Sequence, residues 1–178
     1  YDYISKQRDM YRFMHDQTVR LMNQGYTATE ISNMLDLPPS LAQEFYNRDY
    51  YGTVSHNVRA VYNFYLGYFD GVPANLNPLT PESRARNYVR LAGGSDGLMS
   101  QAKEAIQRGE YRWAAELLNH YVFAYPDNKE ARALLADVYE QMGYQAESGP
   151  WRNFYLSGAK ELRTGVDIRR GPGTASPD

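Results

Sequence analysis

Cysteine is missing from this 178-residue chain. Disulfides, thiol nucleophiles and thiolate zinc sites are therefore closed to it, and it suits an oxidising or a reducing compartment equally. Histidine is scarce as well: His15, His56 and His120 are the whole supply. None of them stands in the H-x-H or H-E-x-x-H spacing that directs two imidazoles at one metal ion. No run approaches the roughly 20 apolar residues of a membrane-crossing helix, and no stretch has the profile of a signal peptide. Neither sign of charge prevails. The 19 basic and 21 acidic residues leave a net charge of −2, which gives no pull toward nucleic acid or an anionic membrane. The nucleophile elbow G-x-S-x-G and the Walker phosphate loop are absent too. Gly93-Gly94-Ser95-Asp96-Gly97 is glycine-rich but has no lysine at the phosphate-loop spacing, so it reads as a helix start.

Tyrosine is what the chain has in excess: 17, against 6 Phe and 2 Trp. An apolar ring with a polar tip suits an interface, or equally a helical core whose phenols reach water. The length is enough for one domain or a close pair of subdomains with a core of its own. With Tyr1 rather than Met at its head, the chain is expected to be a piece of a longer protein.

Hydrophobic periodicity predicts an all-α fold. Residues 1–24 read as one long helix with a stripe of Ile4, Tyr11, Met14, Thr18 and Leu21. Thr27-Ala28-Thr29-Glu30 opens a second helix as a capping box, with Thr27 at the N-cap and Glu30 at N3; Ile31, Met34 and Leu35 are its expected inner face. After Pro38-Pro39 a short helix is expected over 41–46. A Tyr- and Gly-rich turn follows, then a helix over 56–69 with an aromatic side of Val58, Val61, Tyr62, Tyr65 and Phe69. Asp70-Gly71 breaks it. The loop 72–81, with three prolines, is the expected boundary between subdomains 1–71 and 82–163, packed rather than loose because it is short and partly apolar. Helices resume over 81–91 and 97–108. The stretch 164–178, rich in Gly, Pro and Arg, reads as a linker toward a following domain.

The second half repeats itself at 34 residues, the tetratricopeptide period. Gly109 aligns with Gly143 as the turn inside each hairpin. Ala102 aligns with Ala136, and Ala114 with Ser148, where helices approach closely. Pro126-Asp127-Asn128 closes the first unit by ending one helix and capping the next. The second unit carries Gly149-Pro150 inside its second helix and no closing proline, as a terminal unit packing on something else would. The expectation is a helical bundle with tetratricopeptide-like antiparallel hairpins in its second half. Two imperfect repeats favour stacking for shape over a peptide-binding groove, although a stand-alone protein-binding adaptor is the alternative reading. Residues 25–46 also have the outline of a helix-turn-helix, but its second helix carries Glu44 and no basic residue to meet phosphates.

One run gathers polar chemistry: Tyr50-Tyr51-Gly52-Thr53-Val54-Ser55-His56-Asn57-Val58-Arg59-Ala60-Val61-Tyr62. His56 and Arg59 can share a helix face, with Tyr62 one turn further on. An imidazole, a guanidinium and a phenol can hydrogen-bond a sulfate or phosphate oxygen. The same residues would equally serve as a polar cluster fixing the junction between subdomains.

Four runs carry a family resemblance: "KQRDMYRFMHDQTVRLMNQG", "YYGTVSHNVRAVYNFYLGYFDGVPANLNPL", "GEYRWAAELLNHYVFAYPDN" and "MGYQAESGPWRNFYLSGAKELR". Together they cover nearly the whole chain up to Arg163, and they resemble the dimerisation domain of alkyl sulfatases. That resemblance implies a homodimer-forming domain, 1–163, of an enzyme that hydrolyses alkyl sulfate esters to alcohol and sulfate. In such enzymes a metallo-β-lactamase-like domain holds two zinc ions through an H-x-H-x-D-H motif. A small sterol-carrier-like domain follows the helical one. The motif is absent here, so no cofactor is expected on this chain, which should be inactive alone. The resemblance makes Tyr62, in the "SHN…AVY" string, the phenol expected to reach the sulfate. His56 and Arg59 join it from their spacing. Dimer contacts are expected from the Tyr-rich stretches 1–13 and 62–69. A periplasmic or secreted location is what related enzymes imply.

Overall fold

The computed structural model describes residues 1–166. Every regular element among them is helical, as the periodicity predicts. The expected linker 164–178 lies almost entirely outside the described residues. Two compact units emerge. The first takes Tyr1–Leu79 together with Glu147–Pro150, and the second takes Thr80–Ala146 and the described residues from Trp151 on.

The first unit opens with helix α1 (Asp2–Met22), followed by α2 (Ala28–Met34) and α3 (Pro39–Ala42). The capping box forms as expected: Thr27 Oγ accepts the Glu30 N–H, and the Glu30 carboxylate accepts the Thr27 N–H at 2.8 Å. The inner face of α1 is Met10, Met14, Thr18 and Leu21. Ile4 and Tyr11 do not belong to it. Ile4 is 70% exposed and Tyr11 also faces outward; the first turns of α1 meet the 3₁₀ segment through Tyr3 and Gln7, which approach Tyr46, and not through Ile4. Met34 likewise points out, while Ile31 is fully buried. The helix expected over 41–46 breaks after Ala42, and a 3₁₀ turn, Phe45–Asn47, takes its place. Buried Asn47 causes the break by donating its amide to the Leu41 carbonyl at 3.1 Å.

Helix α4 (Val54–Leu66) begins two residues earlier than expected and ends three earlier. Thr53 supplies the N-cap, and Gly67 leaves the helix with φ +75°. The loop beyond α4 is exposed throughout 71–80 rather than packed. Its apolar residues Leu76 and Leu79 stand open.

The second unit contains α5 (Pro81–Leu91), α6 (Ser95–Gln107), α7 (Tyr111–Ala124), α8 (Lys129–Gln145) and most of α9 (Gly149–Thr164). Helix α7 is central, with α5, α6 and α8 against it. Alanines at 102, 105, 114 and 131, all fully buried, let these helices approach closely around Leu98, Leu117, Leu118 and Leu135. Gly97 serves the same end: a Cβ there would lie 2.0 Å from the Ala92 carbonyl oxygen. Asn128 caps α8 by accepting the Ala131 N–H at 2.9 Å.

The packing of α6 to α8 is compatible with the expected hairpins, and Ala102, Ala136, Ala114 and Ser148 are all buried, but Ala114 lies inside α7 whereas Ser148 precedes α9. The repeat also fails at its glycines. Gly109 makes the turn before α7 with φ +74°, whereas α8 runs straight through Gly143. Gly143 is needed for a different reason, since a Cβ there would press to 3.1 Å on Leu156 of α9. Gly149 and Pro150 begin α9 instead of interrupting a helix. The far end of α9 is held to α8 by Arg163, which pairs with Asp137 and Glu140, and by Arg132, whose Nε donates to the Leu162 carbonyl at 2.9 Å.

Candidate functional site

The residues singled out by sequence sit on α4 and on the turn that feeds it. Asp49 accepts the Val54 N–H through its carboxylate at 3.2 Å, and Thr53 Oγ accepts the His56 N–H at 3.0 Å. These two bonds satisfy amides that the first turn of a helix leaves without backbone partners. Asp49 is half-buried, and that burial raises its carboxyl above the usual range against the opposing pull of the Val54 N–H.

Past this start, Val58 and Tyr62 turn inward and pack with Leu21 and Ile31. His56 and Arg59 remain exposed. The Arg59 Nε donates to Ser32 Oγ at 3.0 Å, and Ser32 in turn donates to the Thr29 carbonyl at 2.9 Å. The structure thus brings His56 and Arg59 to one open side of α4 and sets Tyr62, 5% exposed, against the core. Helical geometry requires that separation: six residues at 100° each place His56 and Tyr62 about 120° apart.

Two arrangements escaped the sequence reading. In the first, the His15 Nδ1 lies 2.9 Å from the Asp16 carboxylate and its Nε2 lies 2.8 Å from the Tyr65 hydroxyl. The carboxylate fixes the tautomer, so Nδ1 carries the proton and Tyr65 donates to Nε2. The hydrogen bond from His15, with help from Arg12, holds the Asp16 carboxyl below its ordinary value. All three side chains are exposed, and they fasten α1 to α4. Adjacency of His15 and Asp16 was the only trace in the sequence, because Tyr65 lies 50 positions away. In the second, His120 stacks on Tyr88 with ring centroids 4.1 Å apart and planes 10° from parallel. Burial lowers the His120 pKa, and neighbouring Arg84 adds to the effect.

Among the described residues no group of three or more His, Asp or Glu side chains is placed to hold a metal ion. Each imidazole has its own setting: His15 against Tyr65, His56 at the start of α4 and His120 against Tyr88. The described residues do not fit a zinc centre.

These features define an all-helical domain that presents His56 and Arg59 on an exposed side of α4. The chain belongs to the alkyl sulfatase dimerisation family, whose sequence profile matches residues 27–165; this is the family indicated by the four runs. A linear primary-alkylsulfatase from Pseudomonas sp. is 54% identical over 98% of this chain and 26% of its own length. An alkyl/aryl-sulfatase of Saccharomyces cerevisiae is 55% identical over 96% of the chain and again 26% of its own. The solved structure of the stereoselective inverting sec-alkylsulfatase Pisa1 from Pseudomonas sp. superposes with a TM-score of 0.93 at 49% identity, covering 97% of this chain and 27% of that one. The chain therefore spans about a quarter of the length of the curated relatives it matches.

Proposed function

We propose that this chain is the homodimer-forming helical domain of an alkyl sulfatase, and that α4 faces the sulfate group of an alkyl sulfate ester. Family membership over most of the chain is the observation that carries this reading, and it displaces the adaptor alternative. The dimer has open apolar surface available to it. Tyr1, Tyr3, Ile4 and Tyr11 are exposed on α1, and Phe64, Leu66, Tyr68 and Leu76 are exposed at and beyond the end of α4. The stretch 61–79 contains a single charged residue, Asp70, and that carboxylate is already engaged by the Val72 N–H and the Asn75 amide. Aromatic surface depleted of charge is the composition found at the centre of protein interfaces.

In this reading hydrolysis belongs to a metal domain outside the chain, where two zinc ions activate water. A sterol-carrier-like domain gathers the alkyl tail, and the enzyme works in the periplasm or outside the cell. This chain contributes hydrogen-bond donors from α4: His56 and Arg59 on its exposed side, and the hydroxyl of Tyr62, whose ring packs in the small core. Donors of this kind orient the ester and stabilise charge on the sulfate without taking part in bond cleavage.

Two experiments test the reading. Light scattering of the chain at several concentrations should give a mass near twice 20.4 kDa; a clean monomer contradicts the dimer. In the complete enzyme, Tyr62→Phe should weaken turnover and leave the zinc content unchanged, and loss of zinc would sink the sulfate-contact role.

A further inference from the structure

Glu147–Pro150 are part of the first unit, although the chain on either side of them belongs to the second. There they grip the turn that leads into α4. Ser148 Oγ donates to the Tyr51 carbonyl at 2.7 Å, and the Gly149 N–H donates to the Tyr50 carbonyl at 2.9 Å. Glu147 pairs with Arg48 alongside. Two successive carbonyls of an irregular turn are thus held by two successive donors. Ser148 is 2% exposed, so water does not compete for its bond to Tyr51.

The hydrogen bonds do not stop at the turn. Asp49, between Arg48 and Tyr50, holds the Val54 N–H, and Thr53 holds that of His56. A connected path therefore runs from Ser148 and Gly149, through the turn, to the backbone of His56. Val54 in the first turn packs on both small clusters, the Asn57 amide lies against the Met14 sulfur, and the buried anchors Val58 and Tyr62 lie further along the helix. The grip on the turn adds to these contacts by fixing the backbone that leads directly into α4.

We propose that Ser148 and Gly149 are positioning groups for His56, setting where its imidazole stands against the sulfate ester. The proposal rests on the reading of α4 as the substrate-facing helix. It also accounts for a departure from the tetratricopeptide pattern: Gly149-Pro150 lets the chain present an N–H and a hydroxyl to the turn before α9 begins.

The test is a double-mutant cycle in the complete sulfatase that carries this chain, with His56→Ala, Ser148→Ala and the pair, read as kcat and KM on an alkyl sulfate together with the melting temperature. Ser148→Ala should lower kcat about 10-fold, since a misplaced group is felt in the transition state, with KM changed less than about 2-fold. In the His56→Ala background the same substitution should have no further effect, because its action passes through His56. An equal loss from Ser148→Ala in both backgrounds, or a lowered melting temperature with kcat intact, overturns the positioning role and leaves the reading of α4 standing. Full activity of His56→Ala removes both. Should Ser148→Ala fail to fold, Ser148→Cys, which retains a weaker donor, carries the same cycle to the same outcomes.

Discussion

The two units put their side chains to different use. The second buries eleven residues in one continuous cluster around α7, four of them alanines that draw the helices together. The first divides its buried apolar residues between a cluster of four and a cluster of three. It also leaves large rings in the open: Tyr68 is 97% exposed and Phe64 81%. The second unit exposes rings too, Phe154 at 82% and Tyr144 at 67%, but around a contiguous core; the first unit carries the exposed side of α4 and the nearly uncharged stretch 61–79. A scaffold needs a contiguous core to hold its shape, whereas surface for binding has to be withheld from that core.

The contrast breaks most readily at the cores. Leu118→Ala, in the large cluster where Leu118 is fully buried, should cost about 4 kcal/mol in urea unfolding, while Ile31→Ala in the small one should cost about 2 kcal/mol, because a shallow cluster collapses around the lost atoms more easily. Equal losses would remove the distinction between the units. Gly97→Ala comes next. In an ordinary helix interior this change gains about 1 kcal/mol. Here the new Cβ would meet the Ala92 carbonyl, backbone that cannot yield, so a loss of about 2 kcal/mol is expected. A rise in stability would show that the close approach of the α5–α6 turn is not needed.

Thr27→Ala sharpens the comparison from the other side. It removes the capping box of α2 and should lower the stability of the first unit by about 1 kcal/mol, and amide exchange in α6 to α8 should stay as it was. Protection lost in those helices would mean that the units unfold together. The smallest effect is that of pH on the second unit. His120 has a lowered pKa in the fold, so the unfolded chain binds its proton first. Its contribution is complete above about pH 6.5, declines as pH falls below that unfolded value, and stops declining once pH passes the lowered folded one. His120→Gln should accordingly flatten the melting temperature between pH 7.5 and pH 5. An unchanged profile would locate the titration in another group.

Much of this was legible along the chain. The helical period, the Thr27–Glu30 box, the Asn128 cap and the glycine and proline punctuation are local signals, and each acts through neighbours at most four positions away. Faces were harder. Ile4, Tyr11 and Met34 follow the apolar spacing yet point outward, because which side of a helix is buried is decided by the elements that pack on it. Helix α4 was placed late because its cap, Thr53, sits in a turn whose tyrosines masked the signal. The candidate site was legible as composition, a run holding His56, Arg59 and Tyr62. Its arrangement was not, since which of the three turns inward depends on which side of α4 meets Leu21 and Ile31.

The sequence by itself determined the helical class, the family, and the absence of thiol chemistry, since each of these follows from residue identity and local order. Only the tertiary structure decided that Gly143 serves a helix contact and Gly109 a turn, that Tyr65 meets His15, and that Ser148 holds the carbonyl of Tyr51 from 97 positions away. Partners so far apart leave no periodic trace. A hydroxyl or a backbone N–H has the same local preferences whatever it bonds, and its acceptor is chosen only when packing brings the two together.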